Sequence, residues 1–176
     1  MKRFSIFAQV GIVLNIVWIT LLYADAPLKK PTDLVVWSEN KEFFAEIKYA
    51  EKKTTVYKAV NKEEKIKLWE MDGWFRWTAL SNDGKYFAIP YFGANLLNLD
   101  YQQDTIMLTI AKEGKIVKTV KLNELIEDFK NLRRTSSHYY WGNYFGFSNG
   151  KYIIKTVEDN RFAVDLKTKE LIKIEN

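Results

Sequence analysis

The stretch Trp77-Thr-Ala-Leu-Ser-Asn-Asp-Gly-Lys-Tyr-Phe-Ala88 is an apolar run, a serine, a polar reversal and a second apolar run. Asp-Gly readily adopts the positive φ angles that turn a chain tightly, so the two runs read as paired antiparallel strands. Variants recur as Val35-Val-Trp-Ser-Glu-Asn-Lys-Glu-Phe-Phe-Ala45 and Tyr144-Phe-Gly-Phe-Ser-Asn-Gly-Lys-Tyr-Ile-Ile154. Ser38 and Ser81 are spaced like one four-stranded repeat, a period of about 40–45 residues. Ser148 comes later than that period, so something is inserted before the third unit.

Short runs at 34–37, 43–50, 54–60 and 66–69 are bounded by polar punctuation and read as strands. A second set lies at 75–80, 85–91, 105–111 and 115–121, and a third at 143–147, 151–157, 161–165 and 169–174. Eleven Phe, ten Tyr and six Trp favour pleated, half-buried surfaces. The pattern breaks at Asn123, a fair N-cap, after which Leu125, Ile126, Phe129 and Leu132 share a face at helical spacing. The fold class is therefore all-β: antiparallel meanders in three blade-like four-stranded units, as a partial propeller or packed sheets, with one helical insertion. Residues 34–176 form a single β-repeat domain with its insertion at 123–142, preceded by a linker at 27–33. Unpaired sheet edges would be covered by packing the sheets together or by pairing with another chain.

Leu80-Ser-Asn-Asp-Gly-Lys-Tyr-Phe-Ala88 resembles the strand–turn–strand signature of WD-like and TolB-type β-propeller blades. With its two weaker echoes the resemblance covers about a quarter of the chain. It implies blade-like meanders in a small exported bacterial protein. No Trp-Asp pair ends any unit, and three units are fewer than the four or more blades of a closed propeller.

The chain opens with Lys2 and Arg3, a mostly apolar run from Phe4 to Tyr23, and Ala24-Asp-Ala26. This reads as a signal peptide over residues 1–26. Pro27 disfavours cleavage after Ala26, which leaves Ala24 as the second site. A retained N-terminal anchor is the alternative, although Gln9, Asn15 and Thr20 weaken the run as a span. The expected location is accordingly periplasmic or secreted, with membrane contact only if the segment is kept. The absence of cysteine excludes disulfides, thiolate metal sites and a cysteine nucleophile. A net charge of +5 is spread along the chain, which argues against nucleic acid as a partner.

Candidate function concentrates in Asn131-Leu-Arg-Arg-Thr-Ser-Ser-His-Tyr-Tyr-Trp-Gly142, which holds Arg133, Arg134, His138, Tyr139, Tyr140 and Trp141. Arginine and aromatic residues are enriched at binding hot spots, and insertions in repeat proteins map to one face. The competing reading has the aromatics plug the gap between the second and third units. Trp74 and Arg76 form a second group; at strand spacing they share one face, opposite Phe75 and Trp77. If exposed, they would join the insertion in a patch suited to sugars, peptidoglycan fragments or an acidic protein.

Ser136, Ser137 and His138 invite comparison with a hydrolase, but neighbours in an extended segment point to opposite sides. No Gly-x-Ser-x-Gly elbow, phosphate loop, dinucleotide fingerprint or zinc helix is present. No cofactor, metal ligand set or catalytic residue is assigned. The expectation is an exported, non-enzymatic protein that binds an unidentified protein or glycan partner in the envelope or outside the cell. The alternatives are a small hydrolase of cell-wall or carbohydrate substrates, and a membrane-tethered structural component.

Overall fold

In the computed structural model, residues 29–61 and 63–174 are described; the proposed signal or anchor lies outside them. The first sheet is a meander of β1 (Leu34–Trp37), β2 (Phe43–Lys48), β3 (Lys53–Ala59) and β4 (Lys65–Asp72). The second sheet comprises β5 (Ala79–Leu80), β6 (Tyr86–Pro90), β8 (Ile106–Lys112) and β9 (Lys115–Lys121), with β7 (Leu96–Asn98) in the loop before β8. From the insertion, β10 (Arg133–Arg134) and β11 (His138–Tyr140) join β7 in a small three-stranded sheet. The last sheet is β12 (Gly142–Ser148), β13 (Lys151–Thr156), β14 (Arg161–Asp165) and β15 (Leu171–Ile174). All pairings are antiparallel. The chain is all-β and propeller-like, and each serine marks the reversal between the first two strands of its unit.

The first two reversals share one geometry. Ser38 Oγ donates to Asn40 Oδ1 at 2.7 Å and accepts from the Phe43 amide at 3.0 Å. Ser81 repeats this with Asp83 Oδ1 at 2.5 Å and the Tyr86 amide at 2.9 Å. The fourth turn residue is left-handed in both, Lys41 at φ 60° and Gly84 at φ 69°. The Asn40 amide donates to Asn82 Oδ1 at 3.0 Å, and Asn40 Nδ2 donates to the Asn82 carbonyl at 2.9 Å, tying the turns together. Ser148 ends a shorter two-residue reversal, Asn149-Gly150, with both φ positive.

The second sheet lies between its neighbours and buries both faces. Leu80 and Phe87 pack with Ala45, Ile47, Val56 and Trp69 of the first sheet. Ala88, Leu108, Ile110 and Val120 pack with Tyr152, Ile154, Phe162 and Val164 of the last. Adjacent residues Phe87 and Ala88 thus serve different cores, as the two-residue period of a strand requires.

The helix expected over 123–132 is instead two single 3-10 turns, Leu122–Glu124 and Phe129–Asn131. The cause lies in the far hairpin. Glu158 accepts the amides of Glu127 and Asp128 at 2.9 and 2.8 Å, donors that a continuous helix would send to its own carbonyls. Leu122, Leu125, Ile126 and Leu132 still reach the core. The strand expected over 75–80 is also shorter, because the chain bends at Arg76 and Trp77 before β5.

Gly84 sits under Phe43; an added Cβ would lie 2.4 Å from its ring, whereas one at Gly150 would meet nothing within 4 Å. Both have positive φ, so alanine strains both backbones and crowds only the first. Gly150→Ala is expected to cost about 1 kcal/mol and Gly84→Ala about 2–3 kcal/mol in equilibrium urea unfolding. Equal losses would show that the Phe43 contact is unimportant.

Candidate functional site

Because the strands alternate in direction, the connections sort between two ends. The serine turns and the tight links at 60–64, 113–114 and 166–170 share one end. Residues 29–33, 49–52, 73–78, 91–105, 122–141 and 157–160 gather at the other, which therefore carries every long connection. β1 and β12 both lie against β5, and these innermost strands wall a groove running from the long-loop end. Two abutting cavities of about 500 and 410 Å³ share Val36, Thr78, Ala79, Phe145 and Gly146.

Arg76 and Thr78 form the wall of this groove. The Arg76 guanidinium lies 5.2 Å from the Trp74 ring and 5.6 Å from the Phe92 ring, and Nη2 donates to the Lys29 carbonyl at 2.7 Å. Trp74 donates its indole N–H to the Thr32 carbonyl at 2.8 Å, so this cluster also fastens the linker. Arg76 Nε and Thr78 Oγ1 are nevertheless buried with no hydrogen-bond partner among the described residues. Around them Trp77, Phe92 and Phe145 are 41, 58 and 58% exposed. At strand spacing Trp77 would share a face with Phe75. The bend separates them, leaving Phe75 in the first core and Trp77 at the rim.

The loop beside this cluster is held from within. Ala94 is left-handed at φ 53°, and its carbonyl accepts the Trp141 indole N–H at 2.8 Å. Trp141 is fully buried and meets Tyr144 edge-on at 5.0 Å. It packs the junction and presents no surface. Burial raises the pKa of the Tyr144 and Tyr152 hydroxyls well above the ordinary tyrosine value, so both are neutral.

The remaining insertion residues lie on the small sheet. Arg133 and Arg134 are exposed on β10, paired in register with Tyr140 and Tyr139. Tyr139 meets Tyr101 edge-on at 5.6 Å, and Tyr140 Oη accepts from Asn143 at 2.7 Å. Trp74 and Arg76 are separated from this sheet by the 91–95 loop, which Arg76 meets on one side at Phe92 and Trp141 on the other at Ala94.

Ser137 Oγ and His138 Nδ1 are 2.9 Å apart, contrary to the opposite orientations expected of neighbours. The cause is a tight turn, in which the His138 carbonyl accepts the Thr135 amide at 2.9 Å and the chain is not extended. Ser136 and Ser137 are exposed at its tip, where nothing excludes water. Among the described residues no cluster of His, Asp and Glu could hold a metal ion, and no helix is long and apolar enough to cross a membrane.

A larger cleft of about 740 Å³ lies at the serine-turn end, beside Tyr86, Lys112 and Lys169. Its central hydroxyl is satisfied, since Tyr86 donates to the Leu166 carbonyl at 3.0 Å and accepts from Lys169 at 3.3 Å. The groove differs in holding two buried polar atoms without a hydrogen-bond partner among the described residues. Phe92, Thr78 and Glu158 carry no sequence signal of their positions, because long-range packing sets the surroundings of each.

The chain matches no family model, and no curated protein matches it in sequence. Among solved structures it is similar to the periplasmic gluconolactonase PpgL of Pseudomonas aeruginosa, at 10% identity and a TM-score of 0.39. That match covers 81% of this chain and 38% of the other, so the chain spans well under half of that protein. A likeness of this size transfers no chemistry.

Glu158 anchors the insertion through the two amides and through Asn131 Nδ2 at 2.9 Å. Burial opposes its charge, but these hydrogen bonds outweigh it and hold the pKa below the ordinary 4.5. A carboxyl whose pKa is lowered by folding stabilises the protein above its unfolded pKa and loses that contribution as pH falls through the folded value. Glu158→Gln should therefore lower Tm by about 2–4 °C at pH 7, with the gap closing towards pH 3. A gap independent of pH, measured by calorimetry, would show that the charge is irrelevant.

Proposed function

We propose that this protein is an exported, non-enzymatic binding module that takes a glycan of the cell envelope in the groove between β1, β5 and β12. The observation that carries this reading is the pair of polar atoms without partners among the described residues, Arg76 Nε and Thr78 Oγ1, beside the exposed rings of Trp77 and Phe145 that line the same groove. Leaving a buried polar group unpaired costs about 1–3 kcal/mol, so a side-chain shift that turned Arg76 and Thr78, both lining the groove, toward an acceptor there would recover that cost. Aromatic faces at the rim suit the apolar faces of sugar rings, and a guanidinium beside them suits hydroxyl, amide or carboxylate oxygens. Arg133, Arg134, Tyr139 and Tyr140 extend the same end of the molecule and would contact longer chains. Export rests on the basic, apolar and small-residue succession of residues 1–26.

The test is titration calorimetry with soluble peptidoglycan fragments and neutral oligosaccharides of defined length. Trp77→Ala is expected to weaken binding at least about tenfold. Thr78→Val removes the unpartnered hydroxyl at nearly constant shape, so it should raise Tm by about 2–4 °C while weakening binding. No saturable binding to any of these saccharides, or a Thr78→Val protein no more stable than the parent, would count against the groove.

The Ser137–His138 contact supports a second reading, a hydrolase of the same class of substrate. His138→Ala would then abolish release of reducing ends from peptidoglycan. In a binding module the substitution leaves saccharide affinity within about twofold, since His138 lies outside the groove lining.

A further inference from the structure

Phe43 and Tyr86 hold one position in the repeat, five residues after Ser38 and Ser81, and each donates its amide to the hydroxyl of its serine. The junctions they face are built differently. Between the first and second sheets the Phe43 ring covers Gly84 of the next turn, and Asn40 is bonded to Asn82. Between the second and last sheets Tyr86 instead donates its hydroxyl to the Leu166 carbonyl at 3.0 Å. Gly150 of the next turn stays uncovered, since an added Cβ there would meet nothing within 4 Å. The cleft of about 740 Å³ stands in that place, with Ser81, Asn82 and Asp83 on one side and Ser148, Asn149 and Gly150 on the other.

The charged groups of this cleft are sorted by distance from the innermost strands. Glu39 belongs to the turn between β1 and β2, and Asp83 to the turn between β5 and β6, the inner pair of strands in each sheet. Lys112 ends β8, and Lys167 and Lys169 lie in the link between β14 and β15, so all three belong to outer strands. The Tyr86 ring stands between, with the ammonium groups of Lys169 and Lys112 at 4.7 and 5.7 Å from its centre. Among the described residues none of these five charged side chains makes an ion pair. Asp83 Oδ1 accepts from the Ser81 hydroxyl and the Lys85 amide. Asp165, at the start of the lysine link, uses its Oδ1 on the amides of Lys167 and Thr168.

Acids at the inner end of a cleft and lysines at its outer end are complementary to a molecule that carries both charges. We infer that this cleft binds a zwitterion, a short peptide with free ends, its ammonium group toward Glu39 and Asp83 and its carboxylate between Lys112 and Lys169. A simple anion would meet the acids, and a simple cation the lysines. The volume lies within the range of small-molecule sites, about 300–1,000 Å³. Neighbouring strands are about 4.8 Å apart, so the turn after β5 and the end of β8 are separated by roughly 7 Å. Two or three extended residues span roughly 7–10 Å, which fits that separation of charge. The cleft adjoins the groove at Glu39 and Asn82 but takes none of Arg76, Trp77 and Thr78.

Titration calorimetry with trialanine tests this, using the full chain with its apolar N-terminal run held in mild detergent. Saturable binding at one site is expected, weakened at least about tenfold when the peptide's carboxyl is amidated and again when its amine is acetylated. Lys112→Gln combined with Lys169→Gln should narrow the difference between acid and amide while keeping that between amine and acetyl. Glu39→Gln should do the reverse. Side chains with a merely structural role would move the affinity of all three peptides together. If the double lysine variant loses its sheet signal in circular dichroism, Lys112→Gln alone replaces it. No saturable binding, inorganic phosphate bound as tightly as trialanine, or affinities indifferent to amidation, acetylation or these substitutions would overturn the inference. The peptides contain no sugar, so saccharide binding can fail without affecting these outcomes.

Discussion

A sheet that is apolar on both faces must have a neighbour on each. The second sheet meets this requirement with alternate residues, Phe87 turned to one core and Ala88 to the other. Everything else is placed relative to it. The first sheet covers one side, and the last sheet with the insertion covers the other. The serine turns fix the pairing register from which this alternation follows, since a slip of one residue would exchange the two faces. Asn40 and Asn82 then lock the serine turns of the first and second sheets to each other.

Much of this architecture was legible in the sequence, because its determinants are local. Serine, Asx and glycine at fixed offsets specify a reversal whatever surrounds them, and the unit boundaries follow. Long-range contacts were not legible. Leu125, Ile126, Phe129 and Leu132 have helical spacing, but the carboxylate of Glu158 claims the amides a helix would need. The face assignment at Trp74–Trp77 assumed an extended chain, and one bend put Trp77 on the surface and Phe75 inside.

The candidate site was legible in part for the same reason. Residue type marked Arg76, Trp74 and the insertion as unusual, and the structure places them at the end that carries the long connections. It also divides them by role. Trp141, Trp74 and Trp77 hold loops and linker in place through their indole N–H groups, while the rings of Trp77 and Phe92 remain exposed. No sequence pattern marks Thr78, and only its unsatisfied hydroxyl in the folded protein sets it apart.

The separation of short reversals from long excursions has a practical consequence. Register-setting reversals and long excursions fall on opposite poles, so an exposed tip such as 136–137 can be lengthened or exchanged without disturbing the serine-anchored turns that set the register. The molecule is in that respect a display platform. It is also free of thiols that would complicate labelling or cross-linking at grafted positions.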